Sequence, residues 1–558
     1  MRNTANLDLD NRVNNHVYNI RLPLLLSVCL AGGMFLGATL FGTSDSSRIM
    51  GTSINKFREV MGIVENEYVD TVNPSQVTDY AISQMLARLD PHSTYIPLKD
   101  LELSKASLES DFEGIGIEFL IVNDTVQVIS ALAGGPSDMV GIMAGDRIIS
   151  TEGEPIVGPG LSNQEVFSRL RGPQGTRVEV EVVRRGMNKI ISFSIPRARI
   201  SSRSVDAAFM LKPGVGYLKV SRFSDNTYIE CQKELAALKR LGARMLLLDL
   251  RDNPGGYLDR ATKLADEFLP ERRLMVYTTG KAKKYDQKYY ATASGLFQND
   301  PLLVLVNEGS ASASEILAGA IQDNDRGLIV GRRTFGKGLV QVPISLKDGS
   351  ELRLTISRYY TPSGRCIQKP YKNRLDSYDE ELDVRYKNGE LFSKDSITIE
   401  DTAAYETLIG RKVYGGGGIM PDIFVPLDTL GANQFLIELM GQNLFREFAL
   451  SYYKKHKLSL DLMKKRVDAR SLFLEPTAWQ DFVNLSLEKK IKWPYSKQKI
   501  DTEQYISHLL KAYVARLIWG DTGFYMVISQ KDPMIISALR QANRAQKLLL
   551  ASKNKTPY

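Results

Sequence analysis

The chain has three cysteines and four histidines in 558 residues. Cys29, Cys231 and Cys366 lie far apart, and Cys29 sits inside an apolar segment, so neither a disulfide framework nor a cysteine metal site is expected. His16, His92, His456 and His508 are scattered and show no HExxH or other zinc spacing. The chemistry is therefore expected to need no metal or other cofactor. His92, in Leu89-Asp90-Pro91-His92-Ser93, has to be weighed as a base, and its place beside Pro and Ser at a helix exit favours a local hydrogen-bonding role. Internal repeats and long low-complexity segments are also missing.

What is present is the composition of a folded protein, 43% hydrophobic and 24% charged. The length suggests three or four domains. The net charge of +8 is uneven. From Gly441 onwards Lys and Arg outnumber Asp and Glu by roughly two to one, leaving the remainder slightly acidic. Those cations alternate with Leu, Phe, Tyr and Trp at helical spacing, so they read as the solvated face of a helical domain and no nucleic-acid partner is expected. Leu22 to Ser44 carries no charge and is long enough to span a bilayer. Arg12 and Arg21 before it favour a cytoplasmic N-terminus. A signal anchor is expected, with a cleaved signal peptide as the alternative. Everything after Asp45 is then expected in the periplasm or outside the cell.

Ile54, Phe57, Val60, Met61 and Val64 trace one stripe and predict an amphipathic helix from Ser53 to about Asp70. A second helix is expected from Pro74 to Arg88. Phe112 to Ile195 changes to short alternating strands with many glycines and one helix, Asn163 to Leu170, the pattern of a small β-rich module. Its Gly114-Ile115-Gly116-Ile117 loop, GIMAGDRIIS turn and closing RGPQGT resemble a PDZ domain of the bacterial protease type. The resemblance implies that an extended peptide end adds as a strand, with the N–H groups of Gly114 to Ile117 holding its carboxylate. Arg171, charged at the end of the module's helix, is placed to couple such a ligand to the rest of the chain.

Beyond it, strand, glycine turn and helix repeat: Val215 to Val220, a helix from Thr227 to Lys239, Met245 to Leu250 ending in DLRDNPGG, and a helix from Leu258. This order argues an α/β layer architecture. Lys369 to Val413 reads as a charged excursion, and Gly415 to Asp422 as a flexible return into the core. From Leu430 the pattern is helical.

Asn307 to Gln341 carries the candidate chemistry. Ser312 opens a helix after a sharp turn and also starts a capping box, S-x-x-E. A helix start aims N–H groups and a dipole at developing negative charge. Gly255-Gly256 supplies bare backbone at the end of another strand. Lys337 lies among small and apolar neighbours, Thr334-Phe335-Gly336 and Gly338-Leu339. At the reference pKa only about one lysine in 2,500 is neutral at pH 7. Bringing the pKa to about 7 takes roughly 4.6 kcal/mol, which burial against Phe335 and Leu339 can supply. The segment Gly331 to Gly338 comes within one residue of a P-loop. Gly338 replaces the hydroxyl that would hold Mg²⁺, and a strand follows where a P-loop opens a helix.

NEGSASASE, RTFGKGLVQ and DLRDNPGG together closely resemble the C-terminal processing (tail-specific) peptidases. LDPHS, YTPSGR and GGGIMPDI match the same family, so the resemblance covers about Ile54 to Asp428. It implies a mixed α/β fold: a crotonase-like protease core with an inserted PDZ domain, a helical N-terminal segment and a helical C-terminal extension. It also implies Ser312 as nucleophile, Lys337 as general base and Gln341 orienting the lysine. The oxyanion hole would use Ala313 with Gly255, Gly256 being the other candidate. Ser310 and Ser314 are the rival nucleophiles. Cys366, the long excursion and the basic helical extension depart from the family's pattern.

The expected organisation is a cytoplasmic tail (1–21), an anchor (22–44), a helical region (45–104), the PDZ domain (105–199), the protease core (200–430) and a basic helical domain (431–558). The expected activity is a serine endopeptidase that recognises protein C-terminal ends, its partners being peptides with accessible C-termini and the membrane. The other class is a catalytically inactive scaffold that binds peptide tails. The oligomeric state is left open.

Overall fold

Three apolar runs, Met245–Asp249, Leu302–Val306 and Leu328–Gly331, are buried along their whole length. Continuous burial is what a parallel strand covered on both faces requires. They form the centre of a six-stranded sheet in the order Val205–Lys212, Val215–Val220, Met245–Asp249, Leu302–Val306, Leu328–Gly331, Ile423–Phe424. Only the first pair is antiparallel. On one face the helices Thr227–Arg240, Leu258–Asp266 and Ala313–Asp323 bury Leu235, Leu264 and Leu317 against the sheet. On the other, Met534, Ile535 and Leu548 from the C-terminal helices Pro533–Arg540 and Ala542–Lys553 close the second core layer.

These elements belong to a computed structural model that describes residues 23, 25–34, 45–106, 111–122, 124–132, 135–143, 145–158, 160–184, 189–201, 203–292, 295–371, 378, 380–398, 403–428, 434–442, 444–464, 468–491, 493, 499–553 and 555. Among the described residues no helix is long and apolar enough to cross a membrane. Of the anchor expected at 22–44, residue 23 and residues 25–34 are helical, and the rest lies outside the described residues. The chain divides into two units at Gln84. The first holds the helix Asp45–Glu67, whose Ile54, Phe57 and Val60 form the expected stripe and are exposed.

The second unit holds a further sheet. Its long strand Glu351–Tyr360 pairs with Thr94–Ile96, with Leu274–Gly280 and with Leu339–Ser345. The β-rich module is a separate antiparallel sheet in the order Ile117–Val122, Thr125–Ala131, Arg147–Thr151, Arg177–Val183, Ile190–Pro196. Val126, Val128, Ile148, Val178 and Ile195 fill its core with Val166 of the helix Asn163–Leu170. Strand Asp111–Gly114 enters and Ala198–Ser201 leaves as a pair, so the module is inserted through a two-stranded neck.

The C-terminal helices Leu444–Lys455, Ala478–Glu488 and Lys499–Ile528 surround their own core of Phe445, Phe448 and Phe482. The longest bends at Gly520, whose φ of 67° interrupts the helix. One expectation is corrected: the glycines at 415–418 are not a flexible return. Gly416 and Gly418 donate to the carbonyls of Cys366 and Ile367, and Ile419 donates to Thr334 Oγ1. A Cβ on Gly418 would sit 2.7 Å from the Thr334 carbonyl, so glycine is there to let two backbones meet.

Candidate active site

Ser312 sits between the buried strand Leu302–Val306 and the helix Ala313–Asp323, with φ 54° and ψ −113°. That conformation is sparsely populated for any residue with a Cβ and costs on the order of 1–3 kcal/mol. It is held from several sides. Ala311 N and Ser314 Oγ both donate to the Asn253 carbonyl, at 2.9 and 3.0 Å. Asn253 is fully buried and donates through Nδ2 to the Val220 carbonyl, 3.0 Å. The NPGG loop and the serine turn are thus one bonded unit. A Cβ on Gly255 would lie 2.7 Å from Ser312 Cβ, so the close approach excludes any side chain there.

The three serines separate cleanly. Ser310 is buried and donates to the Leu250 carbonyl at 2.8 Å. Ser314 is buried and spends its hydroxyl on Asn253. Only Ser312 lines the cleft, a cavity of about 880 Å³ shared with His92, Gly255, Gly256, Lys337 and Gln341.

Glu315 joins the serine to the lysine. Of the expected capping box, the Glu315 side chain accepts from Ser312 N, while Glu315 N donates to the Ser312 carbonyl. The Glu315 carboxylate accepts from Ser312 N (2.8 Å), Thr334 Oγ1 (2.5 Å), Gly336 N (2.7 Å) and Lys337 N (2.9 Å). Burial raises its pKa to about 7 against the pull of those donors. Tyr359 adds a second tie: its hydroxyl lies 2.5 Å from the Lys337 carbonyl and 3.2 Å from the Ser312 carbonyl. Neither residue was marked by the sequence as part of the site; Glu315 was legible only as a cap.

Lys337 is partly exposed to the cleft, yet desolvation lowers its pKa below the usual 10.5, while Glu315 and Asp90 pull the other way. His92 stands beside it. The Tyr378 hydroxyl accepts from Gln368 Nε2 at 3.2 Å and lies 3.0 Å from His92 Nε2. Burial first, then Lys337, takes the His92 pKa down to about 4. His92 therefore adds no second charge next to the lysine.

The structure brings Ser312, Lys337 and Gln341 to one cleft without joining their side chains. Gln341 Nε2 donates instead to Thr355 Oγ1 at 3.0 Å. Of the expected oxyanion donors, Gly255 N is engaged by Asn253 Oδ1 at 2.9 Å. Ala313 N and Gly256 N make no hydrogen bond among the described residues. Gly256 bridges Phe223 through its neighbours' polar groups, so its own N–H is directed away from Phe223.

In the β-rich module, Gly114 ends one strand and Ile117 begins the next. Gly116 turns between them at φ 70°, and Ile115 is buried, its carbonyl accepting from both Ser137 N and Oγ. Strand Ile117–Val122 is an edge of its sheet. Its Phe119 meets Phe167 of the helix Asn163–Leu170 at 5.4 Å, and the Arg171 guanidinium lies over Phe167 at 4.5 Å. An open strand edge beside a helix, closed at one end by a glycine loop, is the shape that receives an added peptide strand.

A strained serine at a strand-to-helix turn shares its cleft with a lysine and two bare backbone N–H groups, an arrangement suited to a serine-type peptidase. Residues 214–373 match the model of peptidase family S41, and residues 435–520 match a family of unknown function. A carboxy-terminal-processing protease of Bartonella bacilliformis is 34% identical over 353 residues, 61% of this chain and 80% of that protein. A carboxyl-terminal-processing protease of Synechocystis is 38% identical over 296 residues, 52% of this chain and 68% of that one. Among solved structures, a photosystem II D1 C-terminal processing protease aligns with 27% identity over 70% of this chain and 92% of that chain, TM-score 0.36. The chain belongs to peptidase family S41 and, within it, to the C-terminal processing serine proteases.

Proposed function

We propose that the protein is an endopeptidase that captures protein C-terminal ends on its PDZ domain and cleaves through a Ser312 acyl-enzyme, with Lys337 as general base. The observation that carries this reading is Ser312 held at φ 54° in the cleft and tied through Glu315 to the Lys337 backbone. Neutral Lys337 takes the Ser312 proton as Oγ attacks the scissile carbonyl, then returns it to the leaving amine. Ala313 N and Gly256 N are the donors open to the resulting oxyanion. Gln341, held through its NH₂ by Thr355, orients the lysine. Digestion of a model protein ending in apolar residues, compared with the same protein ending in Asp-Asp, tests tail capture. Equal rates for the two would sink it.

The lysine also sets a pH dependence. Only the neutral amine is a base, and the Lys337 pKa lies below 10.5, so kcat/KM should rise with pH through the lysine's ionisation, with its midpoint below that value. His92, neutral down to about 4, should leave no limb near pH 6.5. A limb near 7 that is lost in a His92 variant would assign the base to His92, whereas one that persists there belongs to Glu315, whose pKa is also about 7.

Ligand capture on the PDZ domain is further proposed to open the cleft, with Phe119 of the edge strand, Phe167 of the helix and Arg171 at the helix end stacked in series. Persistence of tail-dependent activation after Gly114 to Ile117 is disrupted would count against this. The uncharged run 22–44 is proposed to anchor the chain in the cytoplasmic membrane, with the peptidase facing outward. Complete release of the full-length protein from membranes by alkaline carbonate would refute the anchor. The competing class, an inactive scaffold, predicts tail binding without turnover.

A further inference from the structure

Asp90, the acid of the LDPHS segment, is 5% exposed and ends a hydrogen-bond chain that reaches the cleft. Its Oδ1 accepts from His92 N and Ser93 N, both at 2.8 Å, and from Thr355 Oγ1 at 3.1 Å. Its Oδ2 accepts from Ser93 Oγ at 2.6 Å. Ser93 Oγ in turn accepts from Thr355 N at 3.1 Å, so Thr355 is gripped by backbone and side chain. The next bond is Gln341 Nε2 to Thr355 Oγ1.

The direction of every proton in this chain is fixed by chemistry. An ionised carboxylate only accepts, so the single hydroxyl proton of Thr355 goes to Asp90. Towards Gln341 the same oxygen can then only accept. The Gln341 amide must present its NH₂ to Thr355, which leaves the carbonyl Oε1 as its other end. An amide held the opposite way would offer a donor to Lys337, which carries only protons and one lone pair. Held this way, it offers an acceptor for a lysine N–H and leaves the lone pair for the Ser312 proton.

We propose that Asp90 and Thr355 are positioning residues that set the polarity of Gln341, so that its carbonyl oxygen, not its NH₂, meets Lys337 Nζ. The proposal rests on the Ser312–Lys337 reading and deepens it.

The test compares Thr355→Val, Thr355→Ser and Gln341→Met in the full-length protein, measuring kcat, KM and the pH profile. Thr355→Val should lower kcat on the order of 10- to 100-fold, the cost of a misaimed base, with KM unchanged. Thr355→Ser should restore most of it. The lysine ionisation in Thr355→Val should move to lower pH, since an acceptor on the ammonium is lost. Glu315, Asp90 and His92, which also face Lys337, are unchanged by the substitution. In a Gln341→Met background, Thr355→Val should have no further effect on kcat. Wild-type kcat in Thr355→Val, equal damage from Val and Ser, or full additivity with Gln341→Met would each overturn the proposal. If Thr355→Val does not fold by thermal melting, Thr355→Ala takes its place with the same expectations. Ser312→Ala and Lys337→Ala are run alongside. Activity in those two would defeat the Ser–Lys reading itself, whereas their inactivity with an intact Thr355→Val would defeat only the relay.

Discussion

Ser312→Ala and Lys337→Ala should each lower peptide turnover by about 10⁴-fold or more, and the double variant should be no worse than either single one. The reason is that nucleophile and base form one proton-transfer unit: without the hydroxyl the lysine has nothing to deprotonate, and without the lysine the hydroxyl stays protonated. What remains is the contribution of binding and of the Ala313 and Gly256 amides. Thermal melting must accompany the assay, because Ser312 holds a positive φ. Alanine inherits that strain and should melt close to the wild type. Ser312→Gly relieves it and should be more stable than Ser312→Ala by about 1 kcal/mol. A gain of that sign in an inactive variant would show that the backbone distortion serves the reaction, not the fold. Retained activity in Ser312→Ala, with Ser310 and Ser314 buried and engaged, would refute the assignment.

The parallel strands were legible because burial on both faces leaves uninterrupted apolar runs, and Leu302–Val306 appears in the sequence as it does in the sheet. The PDZ module was legible for a different reason: its tight turns need glycine at positive φ, and Gly116, Gly141 and Gly145 have it. Ser312 could be placed at a helix start from its capping box alone. What the sequence could not show is the wiring. Glu315 looks like any N3 glutamate until the loop 21 and 22 residues further on folds onto its carboxylate. Asp90 and Thr355 are 265 positions apart, and no local pattern pairs them. Gly255 and Gly256 are adjacent and alike in sequence, and only the Asn253 side chain, which occupies one of the two amides, tells them apart. The glycines at 415–418 misled in the other direction. Their freedom suggests mobility in a sequence, whereas here it serves close packing against Thr334.

Glu315→Gln should destabilise the protein and silence it together. The carboxylate receives four donors, two on each oxygen, and gives nothing back. An amide of the same shape has one acceptor oxygen and one NH₂. In one rotamer the NH₂ confronts Ser312 N and Lys337 N; in the other it confronts Gly336 N and Thr334 Oγ1. Thr334 cannot rescue the second by rotating freely, because its oxygen already accepts from Ile419 N at 2.6 Å. Either way two donors in a fully buried site lose their acceptor, at about 1–3 kcal/mol each. The expected result is a loss on the order of 2–5 kcal/mol in chemical denaturation, with kcat falling as far as in Lys337→Ala. The coupling of the two effects is the informative part. The same carboxylate that satisfies the backbone of the lysine loop fixes where Lys337 stands relative to Ser312. A Glu315→Gln protein that is destabilised but turns over at the wild-type rate would show that Glu315 is a structural cap alone, and that the lysine is positioned by Tyr359 without it.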